Sequence, residues 1–177
     1  MVTPATQFEI EIPEGVNMKI DGNTVEATGP KGTVKQVFDQ PNVAISHEDQ
    51  KIVVQTASSK RKQRAMVGTV RAHLRNMIQA VTEGFTYKLK VVSAHFPMTV
   101  KVEDKRVLIN NFIGERQPRV ANIVGDVQVN VKGDEITVEG NNKGDVGQTA
   151  TNIEQATLVK GRDNRVFQDG CYIVERE

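Results

Sequence analysis

Lys160, Arg162 and Arg165 fall within six positions near the end of the chain, with Gly161 among them and Asp163 as the single acid. Cations beside a glycine suit phosphate: the side chains supply charge, and a residue without Cβ lets backbone N–H groups reach the same anion. Two other stretches share this composition. Gly114 to Arg119 carries Arg116 and Arg119, and Gly140 to Gly144 carries Lys143. Asn141, Asn142, Gln148, Asn152 and Gln155 add amide donors fitted to phosphates and 2′-hydroxyls. With six Phe, two Tyr and no Trp, the chain has no ladder of aromatics on which single-stranded bases would stack. The chemistry is that of shape and backbone recognition of folded RNA. A second basic patch, Lys60, Arg61, Lys62 and Arg64, lies in a stretch with no acid between Asp49 and Glu83, where Lys51, Arg71 and Arg75 also occur. Such segregation of charge reads either as a partner-facing surface or as a merely solvated face.

Catalytic readings find little support. His47, His73 and His95 lack metal-ligand spacing, and Cys171 has no basic partner in a nucleophile motif. Gly29-Pro30-Lys31-Gly32 lacks the spacing of a nucleotide-hydrolase phosphate loop. Asp126, Asp134, Glu135 and Glu139 fall at turn or alternating positions of a hairpin, where acids form a wet face rather than a magnesium site. No catalytic residue, metal or cofactor is expected. One cysteine excludes an internal disulfide framework and fits a reducing compartment, the cytoplasm by default. The N-terminal segment, MVTPATQFEIEIPEG, has no basic run followed by an apolar one, and no stretch approaches about 18 consecutive apolar residues. Neither export nor membrane insertion is expected. A net charge of +1 argues against a protein that coats nucleic acid over its whole surface.

These residues must be held by a β-rich scaffold. Phe8, Ile10 and Ile12 alternate with acids, Val16, Met18 and Ile20 alternate again, and Asp21-Gly22 turns the chain into Val25 to Thr28. Val34 to Phe38 predicts another strand, and Val43 to Ile45 and Ile52 to Val54 pair around a turn at His47 to Gln50. Met66, Val67, Val70, Leu74, Met77, Ile78 and Val81 keep helical spacing, with Gly84 at the C-terminal cap. From Phe85 the order recurs: strands at Tyr87 to Val91, Met98 to Val102, Val107 to Ile109, Val127 to Val131 and Ile136 to Val138, then a helix on Val146, Ala150 and Ile153. Residues align with the pattern. Val16 to Asp21 lies over Met98 to Glu103, and Gly32 over Gly114, at an offset of 82; Ile52 lies over Ile136 at 84 and Gly68 over Gly147 at 79. The drop from 84 to 79 puts five extra residues in the first strand-to-helix loop. The expectation is α+β, a tandem duplication of one small domain, residues 1–84 and 85–177, with antiparallel strands packed around a single helix in each. Asp169-Gly170 reads as a turn, and Tyr172 to Val174 as a short terminal strand with Cys171 buried beside it.

The terminal stretch Gln155 to Arg176 resembles the signature of the ribosomal large-subunit protein six family, in its archaeal and eukaryotic branch. The matching positions are Gln155, Val159, Arg162, Arg165, Phe167, Asp169-Gly170, Tyr172, Ile173 and Arg176; Cys171 departs, standing where an aliphatic is usual. GFTYKLKVVSAHFPM, NNFIGERQPR and VEGNNKGDVGQTATNIEQ are further family-like runs, with GPKGTVKQVF and AVTEGF weaker ones in the first half. The resemblance implies a structural constituent of the large ribosomal subunit with the same duplicated architecture. It implies a second domain that docks large-subunit rRNA next to the sarcin-ricin loop, where translational GTPases bind, among neighbouring ribosomal proteins. The rival class is a protein-protein interaction scaffold, which would show no salt-dependent RNA affinity.

Overall fold

The period-two runs form strands and the three- and four-residue spacings form helices. The structure, a computed structural model, describes residues 6–48 and 50–176. Met1–Ala5, the start of the segment in which no leader is expected, and position 49 of the turn at His47 to Gln50 lie outside the described residues. The chain divides between Gly84 and Phe85 into two compact units.

In the first unit β1 (Thr6–Glu11), β5 (Ala44–Glu48) and β6 (Lys51–Thr56) form an antiparallel sheet in the order β1-β6-β5. A second sheet runs β2 (Asn17–Asp21), β3 (Thr24–Gly29), β4 (Gly32–Val37). Helix α1 (Arg61–Thr82) packs on both sheets through Val67, Val70, Leu74, Met77 and Val81, which meet Ile10, Met18, Val25, Ile52 and Val54 in one core. At its end Gly84 takes φ +74°, which glycine adopts without strain, and its N–H closes on the Gln79 carbonyl at 3.0 Å. Gly29 is needed for a different reason. A Cβ there would sit 2.8 Å from both the Cγ2 and the backbone oxygen of Val81, so α1 and β3 could not pack this closely.

The second unit repeats the plan. β11 (Gln128–Lys132), β12 (Glu135–Gly140) and β7 (Phe85–Val92) stand where β5, β6 and β1 stand, and β8 (Thr99–Glu103), β9 (Arg106–Asn110) and β10 (Arg119–Asn122) where β2, β3 and β4 do. Helix α2 (Lys143–Ala156) buries Val146, Thr149, Ala150 and Ile153 on this framework. Added to the plan is β13 (Gly170–Arg176), which pairs with the free edge of β7.

Two details differ from the sequence expectation. Thr56 and Gly140 end β6 and β12, so the strand-to-helix loops are four residues (57–60) and two (141–142), while seven helical residues precede Gly68 and four precede Gly147. Of the five extra residues, two lengthen the loop (4 minus 2) and three extend α1 (7 minus 4), because Arg61 to Gln63 continue a helix that its own core face already propagates. The Gly32 to Gly114 correspondence also fails in register. Ala27 pairs with Val34 seven residues on, whereas Ile109 pairs with Arg119 ten residues on, so the second hairpin carries three more residues (10 minus 7). Gly114 therefore lies in a broad loop, where Gly32 pairs with Gly29 across a tight turn. β10 was hidden by that same insertion.

Cys171 is 1% exposed, and burial pushes its thiol up to about 11 despite the Thr157 hydroxyl, which lowers it. Only the thiolate reacts. Native protein at pH 7 is expected to react with Ellman's reagent far more slowly than urea-unfolded protein, and Cys171→Val to cost less than about 1.5 kcal/mol in denaturant unfolding.

Candidate nucleic-acid interface

The cations of the second unit named from sequence lie on connections, at a helix end or, for Arg119, at the first residue of β10, and hydrogen bonds hold each connection. The loop from β9 to β10 opens on Asn111 (φ +57°) and contains Ile113 (φ +51°) and Gly114 (φ +77°). A β-branched residue in the left-handed region is strained by roughly 1–3 kcal/mol, and such strain persists only where surroundings enforce it. Buried Phe112 and the Asn111 side-chain amide, which donates to the Pro97 carbonyl at 3.0 Å, do so here. Arg116 stands exposed on this loop.

Arg119 is turned inward. Its Nε and Nη2 donate to the Glu115 carboxylate at 2.8 and 2.7 Å, its Nη1 donates to the carbonyls of Ala156 and Leu158 at 2.9 and 3.1 Å, and the guanidinium lies 4.3 Å over the Phe112 ring. This half-buried arginine ties the loop to the end of α2. The hydrogen bond from Arg119 holds the Glu115 carboxyl below its ordinary range, and the Arg162 charge lowers it further. Arg162, 43 residues beyond Arg119 in sequence, thus acts on this loop through its charge.

Helix α2 turns its buried residues one way and Gln148, Asn152 and Gln155 the other, at spacings of four and three. Gln148 Nε2 donates to Asn152 Oδ1 at 2.9 Å, and Asn152 Nδ2 donates to the Asn122 carbonyl at 2.9 Å, so these amides also steady the helix against β10. Gln155 is exposed. Lys143 opens the helix, exposed, with its ammonium 5.3 Å over the Phe85 ring. Asn142 caps this end by accepting from the Gly144 N–H at 2.9 Å. Fourteen residues make the helix about 21 Å long. Lys143 and the basic loop at Lys160 to Arg165 consequently flank the strip of amides.

The basic loop is built rather than slack. Thr157 caps α2 by donating to the Glu154 carbonyl at 3.0 Å, and the same hydroxyl accepts the Cys171 N–H at 2.8 Å. Asp163 folds the tip: its carboxylate accepts the Arg165 N–H at 2.9 Å and its carbonyl the Phe167 N–H at 2.9 Å. Lys160, Arg162 and Arg165 project exposed from this frame, with the Arg162 guanidinium 4.7 Å over Phe167.

Asp169 is no turn residue. It is fully buried directly before β13, where its carboxylate accepts the backbone N–H groups of His95 (2.9 Å) and Phe96 (3.4 Å) and meets His95 Nδ1 at 2.7 Å. The His95 ring stacks on Phe167 at 5.1 Å. Burial pushes the Asp169 carboxyl up, but these donors outweigh it and the net shift is downward. His95, Phe167 and Asp169 thus support the basic loop. Seventy-four residues separate His95 from Asp169, and no local spacing could have joined them.

Lys60, Arg61, Lys62 and Arg64 all stand exposed at the start of α1, whose first turn holds no acid and whose Lys60 makes no side-chain cap. Among the described residues no three His, Cys, Asp or Glu side chains gather as a metal would require, and no helix is long and apolar enough to cross a membrane.

Comparison with known proteins fits this frame. The family model for Ribosomal protein L6 matches residues 12–84 and again 96–170, once in each unit. The large ribosomal subunit protein uL6 of Methanobrevibacter smithii is 52% identical over 177 residues, which is 100% of this chain and 99% of that protein. The uL6 proteins of Methanothrix thermoacetophila and Methanosarcina mazei are 51% and 52% identical over 167 residues, each covering 94% of this chain and 95% of the relative. With a duplicated α+β fold, two matches to one family model and half its residues shared along its full length with uL6 proteins, the chain belongs to the ribosomal protein L6 family.

Proposed function

We propose that the protein is a structural, non-catalytic constituent of the large ribosomal subunit that grips rRNA chiefly through its second unit. The observation that carries this is the rigid frame around Lys160, Arg162 and Arg165, continuous with the amide strip of α2 and the Arg116 loop. Cations so held displace counterions from RNA without the ordering cost that free side chains would meet. In this reading Arg116, Lys143, Lys160, Arg162 and Arg165 face phosphates. Gln148 and Gln155 meet 2′-hydroxyls across a shallow minor groove. Arg119 and Asn152, whose donors have internal partners, position the loop and helix on which the others stand. In this reading, which the resemblance to the family supports, the contact lies next to the sarcin-ricin loop, beside the site of the translational GTPases and among neighbouring ribosomal proteins in the cytoplasm.

Ultraviolet crosslinking of the full chain in cells, followed by sequencing of the bound nucleic acid, is expected to return large-subunit rRNA with reads concentrated next to the sarcin-ricin loop. Enrichment of messenger or transfer RNA, or no crosslinked RNA, would sink the proposal and leave the scaffold class.

A further inference from the structure

The outward face of α1 carries more cationic surface than its basic first turn. Arg61, Arg64 and Arg75 fall opposite the buried Val70, Leu74 and Val81, at spacings that keep them along one side of the helix. Arg71 borders this face, its guanidinium 4.7 Å over the Phe8 ring and its buried Nε without an acceptor among the described residues. Between the arginines the surface is low, formed by Ala65, Gly68 and Ala72.

Gly68 is the informative residue. Glycine within a helix is less favourable than alanine, so a packing reason is expected for it. Yet a Cβ built at Gly68 meets nothing within 4 Å among the described residues, whereas at the corresponding Gly147 of α2 it would lie 3.8 Å from the Tyr87 ring. Phe8 holds the place of Tyr87 in register, since Phe8 pairs with Val54 and Tyr87 with Val138, and it lies under Arg71 instead.

We propose that this face of α1 docks along the sugar–phosphate backbone of double-helical RNA, which gives the first unit a surface of its own within the rRNA-binding function and rests on that function. Charge selects a polyanion, because no acid occurs between Asp49 and Glu83. The cations of the first turn stand where the helix dipole disfavours them, and a phosphate would relieve that placement. Arg61 and Arg75 are fourteen residues, or about 21 Å, apart, long enough to meet more than one phosphate. The low strip between them lets ribose approach closely, as the wide minor groove of A-form RNA allows. An acidic protein is the less fitting partner, since none of the exposed large hydrophobic side chains that serve protein interfaces lies on α1.

The test uses the full chain and a fully paired, mixed-sequence RNA duplex titrated at several salt concentrations. Gly68→Gln is expected to leave the melting temperature equal or raised, because the space is open and glutamine is the better helix former, while weakening duplex binding at least fivefold. Arg61→Gln with Arg64→Gln should keep the circular dichroism spectrum and flatten the log-log salt slope by roughly 1.4 to 1.8. A lowered melting temperature for Gly68→Gln would mean that the chain itself fills the space, and it overturns the proposal. So does unchanged duplex affinity in both variants, or loss of polyglutamate binding with duplex binding intact. Arg162→Ala with Arg165→Ala separates the two claims: if that variant alone loses rRNA binding, only the α1 surface is refuted, and if the native chain binds no RNA, both fall.

Discussion

Replacing Arg162 and Arg165 by alanine is expected to weaken binding to a large-subunit rRNA fragment on the order of a hundredfold. A charge-assisted hydrogen bond contributes about 1.5 kcal/mol or more, and about 1.4 kcal/mol is a factor of ten. Loss of two phosphate contacts also lowers the log-log salt slope by roughly 1.4 to 1.8. Stability should barely move, since both side chains are exposed and the backbone turn at Asp163 is untouched. The informative comparison is with alanine at Lys60, Arg61, Lys62 and Arg64, which removes twice the charge. A charge-counting interaction would suffer more from the quadruple change. The opposite ranking is expected, because the Thr157, Asp163 and Asp169 hydrogen bonds fix the terminal loop before RNA arrives, whereas the α1 cations have no comparable frame. Filter binding at three salt concentrations decides it, and a larger loss in the quadruple variant would move the main site to the first unit.

Asp169→Ala should produce the largest loss of stability. It strands the His95 and Phe96 N–H groups in a partly buried site, at about 1–3 kcal/mol each, and empties a fully buried position. A drop of roughly 10 °C or more in the melting of the second unit is expected, at about 4–8 °C per kcal/mol for a domain of this size. Asp169→Asn keeps an acceptor for the amides and should cost less. The pH dependence has a definite sign. Because the folded carboxyl lies below its ordinary value, its contribution is complete above about pH 4 and disappears as pH falls through the lower folded value. Native protein should therefore lose stability on the acid side more steeply than Asp169→Asn, measured by melting between about pH 2 and pH 6. Cys171, two residues along, supplies an independent probe: its reaction with Ellman's reagent should quicken in Asp169→Ala if β13 loosens. A melting curve for that variant equal to the native one would show that the carboxylate does not hold the loops.

Much of the scaffold was legible because burial writes a period into sequence. Alternation at Phe8, Ile10 and Ile12 and helical spacing from Val67 to Val81 are local, and the near-constant offsets between halves exposed the duplication before any coordinate. The basic loops were equally visible, since charge and glycine are compositional. β10 was not visible. Its four residues are too short to alternate convincingly, and the three-residue insertion before it broke the repeat that would have revealed it.

By itself the sequence determined the plan of the fold: where cations cluster, which faces are apolar, and that one unit occurs twice. Tertiary structure decided which polar residues face outward and which are consumed within. Arg119 and Arg162 look alike in sequence, yet one spends its donors on Glu115, Ala156 and Leu158 while the other stays exposed on Phe167. Asp169 reads as a turn and is a buried clamp on a loop 74 residues away. Gly68 and Gly147 share a motif, but a side chain covers one and open space the other. The physical reason is common to all three: hydrogen-bond partners and free volume are set by residues distant in the chain, and no periodicity within a window of sequence records them.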